Sequence, residues 1–201
     1  MSSQRWVTRP YIALEIARET ADTVGRVWPF LRGGDRVLDV GCGTGYATAA
    51  LAARLGQPIV GVDIVDQRRR PVPLFALFDG VSLPFADGAF DAVVLSFVLH
   101  HVPNKLKLPL LREVRRATRG FVFVYEDTPR TRLDRWMLSR HANAYRAGIA
   151  SEATFGFLAA AEWAALFRAE GFRIGYERPV GRWARGPTAP WPRHAFILEK
   201  A

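Results

Sequence analysis

The sequence predicts an α/β fold, and three observations carry that reading. Arg36 to Val40 reads as a short buried strand rich in β-branched residues; it runs into Gly41, Gly43 and Gly45, and a helical stretch follows from Tyr46 to Leu55. Two acids stand where such a unit meets a ligand: Asp39 inside the first strand, and Asp63 at the end of the next, about 20 residues on, where a carboxylate grips ribose hydroxyls. Strand-like and helical runs then alternate to the end of the chain. Glycines between strand and helix let a ligand approach the backbone, because no Cβ stands in the way. The helix start adds unpaired N–H groups and a positive dipole end.

The stretch Val37-Leu38-Asp39-Val40-Gly41-Cys42-Gly43-Thr44-Gly45 resembles the first motif of the class I S-adenosylmethionine-dependent methyltransferases. Further matches follow in that family's order: Gly61-Val62-Asp63, Asp79-Gly80, Leu83-Pro84-Phe85, Phe90-Asp91 and Val98-Leu99-His100-His101-Val102. An ordered set is far more specific than a lone Gly-x-Gly. A nicotinamide-binding Rossmann domain fits less well, since its third glycine would fall at Tyr46 and it does not ask for Asp39. The resemblance implies a three-layer sandwich with a mostly parallel seven-stranded sheet in the order 3-2-1-4-5-7-6, strand 7 antiparallel. It implies S-adenosylmethionine as cofactor, left as S-adenosylhomocysteine. The cofactor residues it implies are Asp39, Gly41, Gly43, Gly45, Asp63, Ile64, Asp79, Gly80, Val81 and Ser96. Among them, Asp63 takes the ribose hydroxyls and Asp79 the adenine amino group, with the Gly80 or Val81 N–H meeting a ring nitrogen.

Composition sets the bounds. At 201 residues the chain suits one domain with a full core. No apolar run of about 18 residues is present, so no membrane span is expected. With no apolar signal core at the N-terminus and a single cysteine, Cys42, the default is a cytoplasmic protein without an internal disulfide. Cys42 reads as a small packing residue. The net charge of +9, nearly all arginine, suits an anionic partner such as nucleic acid, a phosphorylated substrate or a lipid surface. A solvated arginine-rich surface is the plainer reading, because no recognisable nucleic-acid module accompanies the charge.

In order along the chain, residues 1–10 read as extended or loosely ordered. Tyr11 to Phe30 has a helical stripe of Ile12, Ile16, Ala17, Thr20, Val24 and Val27. In the family such a helix closes over the cofactor, so residues 1–30 form an expected lid, with Tyr11 and Arg18 in reach of the methionine carboxylate. Gln57 to Asp63 is the second strand. Where the family places a full helix before the third strand, Arg68-Arg69-Arg70-Pro71-Val72-Pro73 forbids one, so the crossover is a short loop. Leu74 to Phe78 is the third strand, Phe90 to Leu95 the fourth, with Asp91 structural at its start. Ser82 to Gly88 is a loop, and Ser96 and Phe97 lie at the edge where the transferable methyl belongs.

Pro109 to Thr118 is a helix that Arg119-Gly120 ends, with Pro109 in its first turn. Phe121 to Tyr125 is a wholly apolar strand buried on both faces. An extra helix from Thr131 to Gly148, within a cap at residues 130–150, mixes Leu133, Trp136, Met137, Leu138, Ala142 and Tyr145 with arginines. In related enzymes an insertion here forms a substrate cap, and this one suits an anionic or aromatic small molecule. Ala160 to Ala169 is the last helix; Phe172 to Glu177 and His194 to Glu199 are the sixth and seventh strands, joined by a long loop.

The chemistry asked of the protein is modest, because the sulfonium of the cofactor is already activated. An acceptor oxygen, nitrogen or carbon must be held in line and dry. A base helps, and the candidates are His100, His101, Glu126 and Asp127, each also readable as a loop or cap residue. No metal is expected, since no ligand set stands at metal spacing beside the histidines. The reading is methyl transfer to a small molecule. The alternatives are an RNA or protein methyltransferase, suggested by the charge, and a non-methylating protein of the same fold that keeps the cofactor site.

Overall fold

The computed structural model describes residues 4–148, 155–184, 186 and 189–201. Strands β1 (Val37–Val40), β2 (Val60–Asp63), β3 (Leu74–Leu77), β4 (Phe90–Ser96), β5 (Thr118–Asp127), β6 (Phe172–Val180) and β7 (Arg193–Lys200) form one sheet in the order β3-β2-β1-β4-β5-β7-β6. The first five pair in parallel, while β7 runs antiparallel to both β5 and β6. This is the implied sheet, seventh strand included.

Helices α1 (Gln4–Val27), α2 (Tyr46–Leu55), α3 (Asn104–Ala117), α4 (Arg132–Gly148) and α5 (Ala160–Ala169) surround it. Side chains alternate across each strand. Leu38, Val40, Val93, Leu95, Val122, Val124, Phe196 and Leu198 therefore share one face, with Leu110, Leu111 and Val114 of α3 and Trp163 and Phe167 of α5. Val37, Val94, Phe123, Tyr125, Ala195 and Ile197 share the other, with Val24 and Val27 of α1 and Leu51 of α2. Each buried Val, Leu, Ile or Phe among them contributes about 1.5–3 kcal/mol.

Several boundaries differ from those the sequence predicts. α1 begins at Gln4, so residues 4–10 are helical rather than extended, and Pro10 lies within the helix. α3 begins at Asn104, directly after the extended Pro103, and Pro109 falls inside it rather than in its first turn. Pro109 lacks the N–H that would return to the Lys105 carbonyl, a loss that α3 tolerates through its buried face of Lys107, Leu110, Leu111 and Val114. Arg119 and Gly120 do not end α3; they already belong to β5, which starts at Thr118.

The crossover from β2 to β3 is a loop, as its prolines require. Val72, flanked by Pro71 and Pro73, takes the place of the missing helix. It is buried, and its methyls stand 3.0 Å and 2.9 Å from where a Cβ on Gly45 or Gly61 would lie. The loop is pinned to the glycine turn by the Arg69 and Arg70 N–H groups, which donate to the Thr44 carbonyl at 2.9 and 3.2 Å. Arg68 pairs with Asp66 at 2.7 Å and lies over the Phe75 ring. Residues 78–89 also carry no helix. Arg116 of α3 holds them, donating to the Phe85 and Leu83 carbonyls, while Glu113 accepts from the Leu83 N–H.

If Val72 fills that face, Gly61→Ala clashes with it and lowers stability in urea unfolding by about 1–3 kcal/mol. Val72→Ala alone costs about 1–2.5 kcal/mol. Combined, the two should cost less than their sum, since the smaller side chain makes room for the new methyl. Strictly additive costs would show that Val72 does not fill that face.

Candidate functional site

The site starts where β1 stops. The Gly41 and Cys42 N–H groups both donate to the Val62 carbonyl, which turns the chain across the end of β2. Gly41, Gly43 and Gly45 have φ of 73°, 53° and 78°, the left-handed region that other residues enter at a cost. Packing enforces Gly41, where a Cβ would come 2.6 Å from a Val98 methyl. Gly43 faces open space, with nothing nearer than 3.9 Å. That is the side from which a ligand meets bare backbone. Cys42 is buried against Gly61, and burial first, then the Asp39 and Asp63 charges, push its thiol up to about 12, which suits a packing residue.

The two acids bracket this turn. One Asp63 oxygen accepts the Gly43 N–H at 2.7 Å and the other accepts the Ile64 N–H at 2.7 Å. The latter oxygen, Oδ1, also takes the Val65 N–H at 3.4 Å, while the oxygen bonded to Gly43 keeps a further lone-pair site for a hydroxyl. Asp39 accepts the Thr48 hydroxyl of α2 at 2.6 Å. Burial pushes its carboxyl up to about 7, with the Thr48 bond opposing and the Asp63 charge adding.

Ile64 is 62% exposed, and its methyl lies 3.3 Å from where a Cβ on Gly80 would be, so Ile64 and Gly80 form adjoining walls. Asp79 closes its own turn: Oδ1 accepts the Val81 and Ser82 N–H groups at 2.8 and 2.6 Å, which holds its carboxyl below the usual range. The Val81 N–H, one of two expected to meet a ring nitrogen, is therefore engaged within the turn.

At the end of β4, Ser96 shares a hydrogen bond with Thr23 of α1 at 2.9 Å. Phe97 follows with φ of 58°, the one positive value off glycine among the described residues. Strain of this kind gathers at ligand sites. The Tyr125 hydroxyl donates to Asp22 at 2.5 Å, tying α1 to β5. Burial and the Asp22 charge push that phenol up. Arg18 pairs with Glu15 at 3.6 Å; the side chain of Tyr11 lies outside the described residues.

The four candidate bases divide into two pairs. Glu126 is wholly buried; Oε1 accepts the Val98 and Leu99 N–H groups, and Oε2 meets His100 Nδ1 at 2.5 Å. Burial dominates both partners, pushing Glu126 up to about 8 and His100 down to about 4. The His100 ring stacks on Phe157 at 4.9 Å and lies 4.2 Å from His101. Asp127 turns to Arg193 instead, at 2.9 Å, with both side chains buried. Arg193 also donates to the Ala189 carbonyl and lies near the Phe97 and Trp191 rings. Phe155 and Phe157 line a cleft with Arg135, Ser139, Ala142 and Asn143 of α4. Among the described residues no cluster of three or more His, Cys, Asp or Glu is placed to hold a metal ion.

Sequence reasoning passed over Asp22, Thr23, Arg193, Phe155 and Phe157. A signal existed for two of them: Phe155-Gly156-Phe157 sets two aromatics about one glycine ahead of α5. Arg193 opens a strand whose middle, Ala195 to Leu198, is apolar, and it is marked as a buried charge only once its neighbour in β5 is known.

A doubly wound sheet with a glycine turn and acids at two neighbouring strand ends defines a nucleotide-type cofactor site. A family model described as "Methyltransferase domain" matches residues 12–176, and the chain belongs to that family. The class I resemblance drawn from the motif order is thereby confirmed, and S-adenosylmethionine is the cofactor of that class. A demethylmenaquinone methyltransferase of Beutenbergia cavernae is 40% identical over 113 residues, 51% of this chain and 42% of that protein. The match thus spans less than half of that relative. Burkholderia thailandensis 1,6-didemethyltoxoflavin-N1-methyltransferase, solved with S-adenosylhomocysteine, superposes with a TM-score of 0.66 at 18% identity, covering 93% of this chain and 78% of that one. The [4+2]-cyclase SpnF superposes at 0.67 with 20% identity, covering 92% and 80%. At such identities these two likenesses show the fold alone.

The residues present fit the adenosyl cofactor: nothing crowds Gly43 closer than 3.9 Å, and the Asp63 oxygen bonded to it keeps an acceptor site. If Asp39 faces the cationic sulfur of the cofactor, binding favours its ionised form. Below about pH 7 the Asp39 proton must first leave, and affinity falls. Calorimetric titration with S-adenosylmethionine should therefore show binding weakening by up to about tenfold per pH unit as pH drops below 7. In Asp39→Asn that part of the slope should vanish.

Proposed function

We propose that this chain transfers a methyl group from S-adenosylmethionine to a small-molecule acceptor carrying an aromatic or anionic ring. The observation that carries the reading is the Asp63 carboxylate fastened to the open Gly43 turn. Asp39, Gly41, Gly43, Gly45, Asp63, Ile64, Asp79, Gly80, Val81 and Ser96 hold the cofactor, and α1 acts as its lid through Thr23 and Asp22. When bound, the cofactor supplies an electrophilic methyl on its sulfonium. The Phe155 and Phe157 rings beside His100 suit a flat acceptor. The names of relatives such as the Beutenbergia demethylmenaquinone methyltransferase support a small-molecule acceptor, methylated at oxygen, nitrogen or carbon.

In this reading His100 removes the acceptor proton, and Glu126 is its positioning residue. Below about pH 8 the Glu126 proton occupies the bond to Nδ1, so the ring N–H sits on Nε2. Above it one proton is gone: Nδ1–H donates to the carboxylate, and Nε2 offers its lone pair. His101 packs against His100, and Asp127 keeps the Arg193 guanidinium compensated.

The net charge of +9 favours one other reading, methylation of RNA. RNA affinity that falls steeply with salt would support it.

Two measurements test the proposal. S-adenosylmethionine should bind the parent protein, and Asp63→Ala should weaken it about 10–100-fold; unaltered affinity in the variant removes the Asp63 role, and no binding by the parent removes the proposal. With a panel of hydroxylated aromatic acceptors, S-adenosylhomocysteine release should rise as pH passes about 8. Glu126→Gln should lose that limb while keeping its cofactor affinity.

A further inference from the structure

The outer surface of α4 has no task in the site just described, yet its composition is specific. Leu133 and Trp136 are each 57% exposed, and Arg140 continues their stripe with its guanidinium 5.2 Å from the Trp136 ring. Arg130, Arg132 and Arg135 are exposed beside them. The one acid between residues 130 and 143, Asp134, is buried; it accepts the Arg130 and Thr131 N–H groups and pairs with Arg182 at 2.5 Å. Every exposed charge of this segment is therefore positive. Trp183, 64% exposed, directly follows Arg182, whose guanidinium meets Asp134 in the first turn of α4.

We propose that the exposed face of α4, with Trp183, docks on an anionic lipid surface. Large apolar side chains left in water among arginines are the signature of an interfacial helix, whose apolar groups enter the acyl boundary while its cations meet headgroups. Indoles favour that boundary because one edge is polar and the body apolar. Each arginine near an anionic leaflet adds about 1 kcal/mol, roughly a fivefold gain in partition. The partner chemistry follows from Leu133: it has neither charge nor ring for a nucleotide, but inserts readily among acyl chains. No described helix is long and apolar enough to span a membrane, so the contact is peripheral.

The position gives the contact a purpose, which rests on the proposed methyl transfer. Arg135 and Ser139 belong both to the exposed side of α4 and to the cleft whose other wall is Phe155 and Phe157, the rings stacked on His100. An amphipathic acceptor held in the lipid, with its ring at the headgroup level, would enter that cleft without crossing water.

Co-sedimentation with vesicles tests the contact without turnover. At low ionic strength the parent protein should partition onto phosphatidylglycerol vesicles and not onto phosphatidylcholine vesicles, with a blue shift of tryptophan emission. The double variant Leu133→Ser/Trp136→Ser should partition at least tenfold more weakly, and Arg132→Glu/Arg140→Glu about 25-fold or more. All these side chains are exposed, so melting temperature and S-adenosylmethionine affinity should be unchanged. No partition of the parent onto phosphatidylglycerol, equal partition onto phosphatidylcholine, indifference to Leu133→Ser/Trp136→Ser, or tighter binding to a single-stranded RNA oligonucleotide would each overturn the proposal. Failure of the parent to bind S-adenosylmethionine would remove the methyl-transfer reading and leave the vesicle result standing.

Discussion

The hydrogen bond from the Gly43 N–H to Asp63 is the tie on which the rest depends. It joins the end of β1 to the end of β2 through one carboxylate, whose other oxygen caps the Ile64 N–H. A charge-assisted bond of this kind is about twice as strong as a neutral one, and it orients the glycine turn rather than merely permitting it. With the Gly43 backbone fixed, the Thr44 carbonyl is placed to receive Arg69 and Arg70, and the proline-rich crossover closes over the turn. One acid thus ties β1, β2 and the crossover together.

The crossover shows how a family pattern can be shortened without losing the sheet. A parallel connection is ordinarily a helix, because the sheet face beneath must be covered. Here one valine covers the critical spot, and it fits only because Gly45 and Gly61 carry no Cβ there. The remainder of that edge stays open, and Leu74 and Leu77 of β3 are exposed. The prolines announced the missing helix. Nothing local announced Val72 as its substitute, since that depends on two glycines distant in sequence.

The same division runs through the site. The placement of Asp39, the glycines and Asp63 was legible because it follows from local geometry, a strand end and a turn, at a spacing that β1 and β2 impose. The strand order was legible only through the family resemblance. The partners of Glu126 and Asp127 were not legible at all. These neighbours in β5 point to opposite faces of the sheet, one to the loop after β4 and the other to β7. Period-two geometry predicts that they separate, but which side chain waits on each face is a matter of tertiary contact. The α3 start was misplaced for a related reason: Pro109 suits a first turn, but Pro103 does too, and packing of Lys107 and Leu110 decided between them.

Two buried polar pairs flank the end of β5, and their cost bears on what the site is for. Desolvating Asp127 and Arg193 together gains little net stability, whereas removing either partner leaves an uncompensated charge worth about 3–5 kcal/mol. Hydrophobic residues of similar volume would have packed as well there. Retaining charge beneath Phe97, itself held at positive φ, makes sense if that end of the sheet must present a fixed electrostatic surface to an acceptor. On the other face His100 and Glu126 form a buried pair that burial keeps neutral, with the His100 ring stacked on Phe157. Across the cleft from Phe155 and Phe157, α4 carries on its outer side exposed indole, leucine and arginine rather than the polar surface of an ordinary solvent-facing helix.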